Sequence, residues 1–202
     1  SQAGRPCFFI RLAGCNLHCT YCDTAYAARA AGRPRSVSSL LQAFQKTKLN
    51  LVAVTGGEPL IQLGVIALLE RLQKHGTVLV ETNGSQDISR LPSEVIAILD
   101  IKCPSSGESQ AMDWKNLRRL RRQDEIKFVI SDRHDYLWAR RLIKAQRLVQ
   151  RCALVLMSPT SGVPGQPLPP ATLADWILKD RLPVRLNLQL HRYLWPAATR
   201  GV

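Results

Sequence analysis

The sequence predicts an α/β fold, an incomplete parallel β/α barrel of partial TIM type in a single domain. Two observations predict it. Short β-branched or apolar runs alternate with helical repeats along the chain, which implies parallel strands joined by crossover helices. The final strand-like run then carries one apolar and one polar face. Leu186, Leu188 and Leu190 alternate with Arg185, Asn187 and Gln189, and His191 follows in the polar register. A parallel strand of an open sheet is apolar on both faces, whereas a polar face suits a lumen that holds a polar ligand.

In chain order, strands are predicted at Cys7–Leu12, Leu51–Thr55, Thr77–Glu81, Val95–Ile101, Ile126–Ile130, Cys152–Met157 and Val184–Leu190. Between them Val37, Leu40, Leu41 and Phe44 recur at i, i+3, i+4 and i+7. Val65, Leu68, Leu69 and Leu72 do the same in a helix that Gly76 is expected to close. Trp138, Leu142, Ala145 and Val149 predict a further helix, and Leu173, Trp176 and Ile177 a last one. Ser161–Pro170, rich in Gly and Pro, reads as a loop.

At 202 residues the chain has room for one sizeable core, and 46% hydrophobic content is ordinary for a globular protein. No run of about 18 apolar residues is present, so no membrane span is expected. No leader pattern is visible either, which gives a cytoplasmic expectation. Twenty-eight Lys and Arg against fifteen Asp and Glu leave a formal net charge of +13, a field that attracts carboxylates, phosphates or nucleic acid. The densest basic stretch, residues 115–122, spaces Leu117 and Leu120 as the apolar side of a helix whose basic face is solvated. It lacks the interleaved aromatics of a base-stacking surface. The charge is accounted for without nucleic acid if the partners are anionic.

Three of the six cysteines fall within eight residues, in Gly14-Cys15-Asn16-Leu17-His18-Cys19-Thr20-Tyr21-Cys22-Asp23-Thr24. That is too tight for a disulfide framework and suits thiolates serving a metal. Cys7 and Cys152, in apolar runs, read as small core residues, and Cys103 lies just past a strand end. Three thiolates at x3 and x2 spacing can each ligate a different iron of a four-iron cube and leave one iron open to chelate a small molecule. The competing reading is a zinc site completed by His18, which directly precedes Cys19 and is awkwardly placed to complete a tetrahedron.

Together with Thr55-Gly56-Gly57-Glu58-Pro59 at the end of the second strand, this motif resembles the radical S-adenosylmethionine superfamily. Further segments resemble its 7-carboxy-7-deazaguanine synthase family: Ala3-Gly4-Arg5-Pro6, Phe9 to Asn16, Cys22-Asp23-Thr24, Glu81-Thr82-Asn83-Gly84, Asp100-Ile101-Lys102-Cys103-Pro104-Ser105-Ser106-Gly107 and the tail Gln189 to Trp195. The resemblance implies a radical SAM barrel carrying a [4Fe–4S] cluster on Cys15, Cys19 and Cys22, the catalytic ligands. It implies S-adenosylmethionine bound by Gly56, Gly57 and Glu58, lined by Asp100, Ile101 and Lys102, with Thr82 and Asn83 nearby. Glycines there are expected to let backbone carbonyls approach the cofactor's ammonium. Thr24 would ligate Mg2+, with a helix-capping threonine as the alternative. Arg11, Thr55 and His191 would contact substrate. An arginine otherwise belongs on a strand surface, Lys102 at a solvated strand end, and a lone histidine in a core or tail.

The implied reaction begins with a 5′-deoxyadenosyl radical taking a hydrogen atom from 6-carboxy-5,6,7,8-tetrahydropterin. Ring contraction and loss of ammonia then give 7-carboxy-7-deazaguanine. An acidic electron donor such as flavodoxin and a homodimeric state are further expectations. In this family a short strand bearing Gln-Gly-Glu precedes the segment with which this sequence begins, so that strand is expected to lie outside it. A glycyl-radical-enzyme activase shares the cysteine and Gly-Gly-Glu-Pro motifs but leaves the Asp100–Gly107 stretch and the tail unexplained. A zinc-bearing RNA-binding module is the reading from a different class.

Overall fold

β-branched and leucine-rich runs interrupted by no more than single polar residues are suited to parallel strands, and in a computed structural model of the chain they form them. Residues 2–160 and 167–195 are described. The strands are β1 (Phe8–Leu12), β2 (Leu51–Gly56), β3 (Thr77–Thr82), β4 (Ile96–Ile101), β5 (Glu125–Ile130), β6 (Leu154–Pro159) and β7 (Arg185–Leu186). Every pairing is parallel, and the strands lie in sequence order with β1 and β7 at the edges, so the sheet is not closed. The helices are α1 (Ala25–Arg29), α2 (Val37–Lys46), α3 (Val65–Leu72), α4 (Asn116–Arg119), α5 (Arg133–Ala145), α6 (Leu148–Arg151), α7 (Pro170–Lys179) and α8 (His191–Leu194). No helix of the described residues is long and apolar enough to cross a membrane.

Alternation along each strand separates two faces. Val52, Val54, Val78, Val80, Ala97, Leu99, Ile126 and Phe128 share the main core with Phe44, Leu68, Leu69, Leu72, Tyr136 and Leu173 of the helices. The other face lines the concave side. Its lower level is apolar, with Leu51, Ala53 and Leu79 packed against Ile96 and Ile98. Its upper level, toward the C-terminal strand ends, carries Arg11, Thr55, Glu81, Asp100 and Lys127 on β1 to β5. The polar lumen expected from the last strand therefore exists, but other strands build it. β7 is only two residues long and exposed, Leu190 caps α8 instead of continuing a strand, and Asn187 donates to Ser158 Oγ at 2.9 Å.

Other expectations also change. Cys152 precedes β6 and is buried, its thiol near the Leu148 and Leu154 carbonyls. Cys103 is fully buried, whereas Cys7 is half-buried. The helix expected to run from Trp138 to Val149 breaks at Arg147, whose φ of 51° is left-handed, and Val149 is exposed on the separate α6. Tyr136, Ala139 and Ile143 form the buried stripe of α5, with Trp138 and Leu142 on its flank. Gly76 lies beyond the end of α3 and serves a close approach. A Cβ there would meet the Asn50 carbonyl oxygen at 2.6 Å. Of the predicted loop Ser161–Pro170, residues 161–166 lie outside the described residues.

The basic stretch forms no long amphipathic helix. α4 spans four residues, and two of the arginines are tied down. Arg119 bridges Asp87 and Asp113, while Arg121 donates to the buried carboxylate of Asp124. Asp124 also accepts from the Ala97 and Arg121 amides at 2.9 and 2.8 Å, locking β4 to the turn before β5. Asp124→Ala strands those donors and is expected to cost about 3 kcal/mol. That corresponds to a fall of roughly 6–12 °C in Tm by calorimetry.

Candidate active site

The cysteine loop leaves β1 and lies across the C-terminal ends of the strands, held on three sides. Toward β2, the Gly57 and Glu58 amides donate to the Leu12 and Gly14 carbonyls, each at 2.9 Å, and Gln62 Nε2 donates to the Ala13 carbonyl at 2.7 Å. A Cβ on Gly57 would sit 1.8 Å from the Gly14 oxygen, and one on Gly56, whose φ is +143°, 2.0 Å from the Leu12 oxygen. The paired glycines thus first serve contact between two backbones of this chain. Toward β4, the Thr20 amide and hydroxyl donate to the Ser106 and Ser105 carbonyls at 3.0 and 2.6 Å, and Glu108 accepts from the His18 amide. The Pro104–Gly107 turn is itself anchored by Asp135, which accepts from the Ser105 amide. Toward the tail, Gln189 donates to Asp23 at 2.6 Å.

Cys15, Cys19 and Cys22 are half-buried free thiols on this loop. Burial, joined by Asp100, Cys22 and Glu108 and opposed by Lys102, pushes the Cys19 thiol up to about 11. Cys15 Sγ accepts from the Leu17 amide and from Asn83 Nδ2 at 3.5 and 3.7 Å. Among the described residues, the metal-capable groups whose ligand atoms gather within 4.8 Å are those of Asp132, His134 and Asp135. The three thiol sulfurs do not all lie within 4.8 Å of one another, whereas those around one tetrahedral zinc stand roughly 3.8 Å apart. A four-iron cube suits that spread better, and His18 is an exposed residue on the same loop.

Glu58 is fully buried and its carboxylate is occupied. It accepts from Thr82 Oγ1 at 2.8 Å and from the Asn83 and Leu60 amides at 2.6 and 2.9 Å. It braces the β2 loop against the end of β3. Asn83 reaches from that brace to Asn16 Oδ1 at 3.1 Å as well as to Cys15.

Asp100 and Ile101 end β4, both buried, with Lys102 next. Lys102 Nζ lies 3.0 Å from Asp100 Oδ2, so it is no solvated strand-end lysine. Burial works against its charge, but Asp100 and Cys19 outweigh that and hold the ammonium above its ordinary range. Asp100 Oδ1 is buried with no hydrogen-bond partner, an acceptor that suits a polar cofactor or substrate group.

Thr24 occupies the N-cap position of α1, yet its side chain makes no capping bond. Its hydroxyl lies 3.9 Å from Cys22 Sγ, which leaves the capping alternative unsupported. Arg11, exposed on β1, pairs in register with Thr55 and has its guanidinium 5.9 Å from the Tyr26 ring centroid. Thr55 donates to Glu81 Oε2 at 3.3 Å. His191 opens α8, exposed; burial, Arg192 and Arg11 hold its imidazole below its ordinary range against a pull from Asp23. Arg11 at the β1 edge thus lies close enough to His191 to act on it.

Glu81 and Lys127 join the site without a motif of their own. Glu81 opens the Glu81–Gly84 segment, and an interior lysine in the apolar run Glu125–Ile130 is itself a sign of a polar lumen.

Known proteins resemble this chain in sequence and in fold. Residues 9–100 match the Radical SAM superfamily. The chain is 40% identical to the 7-carboxy-7-deazaguanine synthase of Koribacter versatilis over all of this chain and 94% of that protein. It is 41% identical to the enzyme of the same name from Chlorobaculum tepidum, over all of this chain and 91% of the relative. The crystal structure of QueE from Escherichia coli is similar in fold, with a TM-score of 0.67 at 21% identity over 92% of this chain and 86% of that one. S-Adenosylmethionine and a [4Fe–4S] cluster are the cofactors that go with the superfamily, and the thiol spread and the orphaned Asp100 oxygen fit them. Neither a glycyl-radical activase nor a zinc-bearing RNA module is favoured. The chain belongs to the 7-carboxy-7-deazaguanine synthase family of radical SAM enzymes.

Proposed function

We propose that the chain converts 6-carboxy-5,6,7,8-tetrahydropterin to 7-carboxy-7-deazaguanine with loss of ammonia, as a single radical SAM core domain in the cytoplasm. The observation that carries this reading is the level of polar side chains on five adjacent strands beneath a three-cysteine loop, in a chain so similar to enzymes of that name. When bound, the cluster and S-adenosylmethionine supply the radical chemistry. Cys15, Cys19 and Cys22 hold the cluster. Gly56 and Gly57 dock the cysteine loop on β2, and Glu58, Thr82 and Asn83 brace that joint. Asp100 Oδ1 accepts a hydrogen bond from the cofactor or substrate, with Ile101 and Lys102 completing that wall. Arg11 pairs its guanidinium with the pterin carboxylate, while Thr55 and His191 bound the same space.

In this reading the Thr24 hydroxyl ligates Mg2+ together with substrate and water oxygens. The electron donor is an acidic protein such as flavodoxin, which the +13 charge attracts, and the assembly is a homodimer. Anaerobic incubation of reconstituted protein with the tetrahydropterin, S-adenosylmethionine, Mg2+ and a reductant is expected to yield the deazapurine by mass spectrometry. Its absence, with cofactor cleavage intact, sinks the reading. Thr24→Ala is expected to keep cofactor cleavage within about threefold while product formation falls at least about tenfold and loses its response to Mg2+. A variant that titrates Mg2+ like the parent removes Thr24 as the ligand.

A further inference from the structure

Lys127 lies in the middle of β5, where a parallel strand flanked by neighbours on both sides is expected to be apolar. Its ammonium pairs with Glu81 Oε1 of β3 and lies 3.5 Å from Asp100 Oδ2 of β4. The side chain of Lys127 is 16% exposed and that of Glu81 33%, so the cation sits beneath and the glutamate faces the lumen. Glu81 Oε2 accepts from Thr55, which pairs in register with Arg11. Five strands are thereby joined at one level. A cation withdrawn from water in this way is destabilised unless its anionic partners stay charged. Burial pulls the Lys127 ammonium below its ordinary range, with Asp23 opposing. The charged groups around it are Glu81 from β3, Asp100 from β4, Lys102 just past the end of β4, and Asp23 from the cysteine loop. The β6 residue beside it is Leu156.

We propose that Lys127 is a positioning residue, the counter-ion that keeps the Glu81 carboxylate ionised and fixed at the level of the pocket where substrate is received. The inference rests on the pocket assignment above and adds a residue that acts through Glu81. Its consequence has a definite sign. An opposite charge favours the ionised carboxylate, so removing Lys127 makes Glu81 easier to protonate. Loss of activity on acidification then begins at a higher pH.

The test compares holoenzyme with Lys127→Met, Lys127→Gln and Lys127→Arg, each checked for fold by circular dichroism. In the Met and Gln variants the acid limb of kcat/KM is expected to move up by about one pH unit or more. The loss should therefore be at least about tenfold greater on the acid side than on the alkaline side. Lys127→Arg should restore the limb. In 13C-glutamate-labelled holoprotein, infrared titration should show a protonated carboxyl band that appears about one pH unit or more higher in Lys127→Met than in the wild type. That band should be missing from the double variant with Glu81→Gln. A loss equal at every pH with the limb unmoved, or a band that appears at the wild-type pH, overturns the inference and leaves Lys127 a packing residue. If the wild type makes no deazapurine at any pH, the proposed function fails instead, and the infrared band still decides what Lys127 does to Glu81.

Discussion

Protein carrying alanine at Cys19 is expected to stay colourless through anaerobic reconstitution and to cleave no S-adenosylmethionine. On the proposed ligand set each thiolate would hold a separate iron, and two anchors would leave the cluster without its full protein ligation. Cys15→Ala and Cys22→Ala should behave alike. Cys152→Ala should not, because Cys152 is buried in the main core beside α6 and β6, where its thiol meets the Leu148 and Leu154 carbonyls, away from the cysteine loop. The check is iron and sulfide content together with electron paramagnetic resonance and cofactor cleavage. Full iron in the Cys19 variant would refute the ligand set.

A second arm follows from acid–base linkage. Burial pushes the Cys19 thiol up to about 11, so at neutral pH it carries a proton that iron must displace. Below that value, cluster affinity should therefore rise with pH, about tenfold per unit for one proton released.

Much of this site is legible in the residues alone because its signals are local. Three thiols in eight positions, a Gly-Gly turn after a strand, and helical spacing in α2 and α3 each depend on neighbours in sequence. What the pattern alone does not show has the opposite cause. The brace that Glu58 makes to β3 depends on where Thr82 and Asn83 arrive, 24 and 25 residues later. Arg121 looks like one of several solvated cations until Asp124 and the carbonyls before β4 fold around it. The polar lumen was inferred from the alternation of residues 184–190, but the tail turns into α8. The charges that build the lumen are single residues in otherwise apolar strands, invisible to a period-two pattern. Lys127 is the sharpest case, since its partners come from two other strands. Asp100 was found only through family resemblance, and its unpaired oxygen is a property of packing.

The second large effect comes from backbone geometry. Gly57→Ala is expected to reduce cofactor cleavage by about 100-fold or more and to leave iron well below four per chain. The added methyl would lie 1.8 Å from the Gly14 carbonyl oxygen and 3.0 Å from Cys15 Cβ. Neither neighbour is the movable end of a flexible side chain, so the cysteine loop must shift by more than an ångström. That shift breaks the bonds from the Gly57 and Glu58 amides, and it moves Cys15 away from Asn83. Overpacking of this kind costs about 1–3 kcal/mol even where the surroundings relax, so a lower Tm should accompany the lost iron. Gly64→Ala supplies the comparison. Gly64 stands just before α3 with Val37 Cγ2 as its nearest neighbour at 3.9 Å, so its substitution should change stability by no more than about 0.5 kcal/mol and leave the cluster intact. Should Gly57→Ala assemble a full cluster and cleave cofactor at the parental rate, the docking of the β1 and β2 loops would not be what holds the three thiols in place.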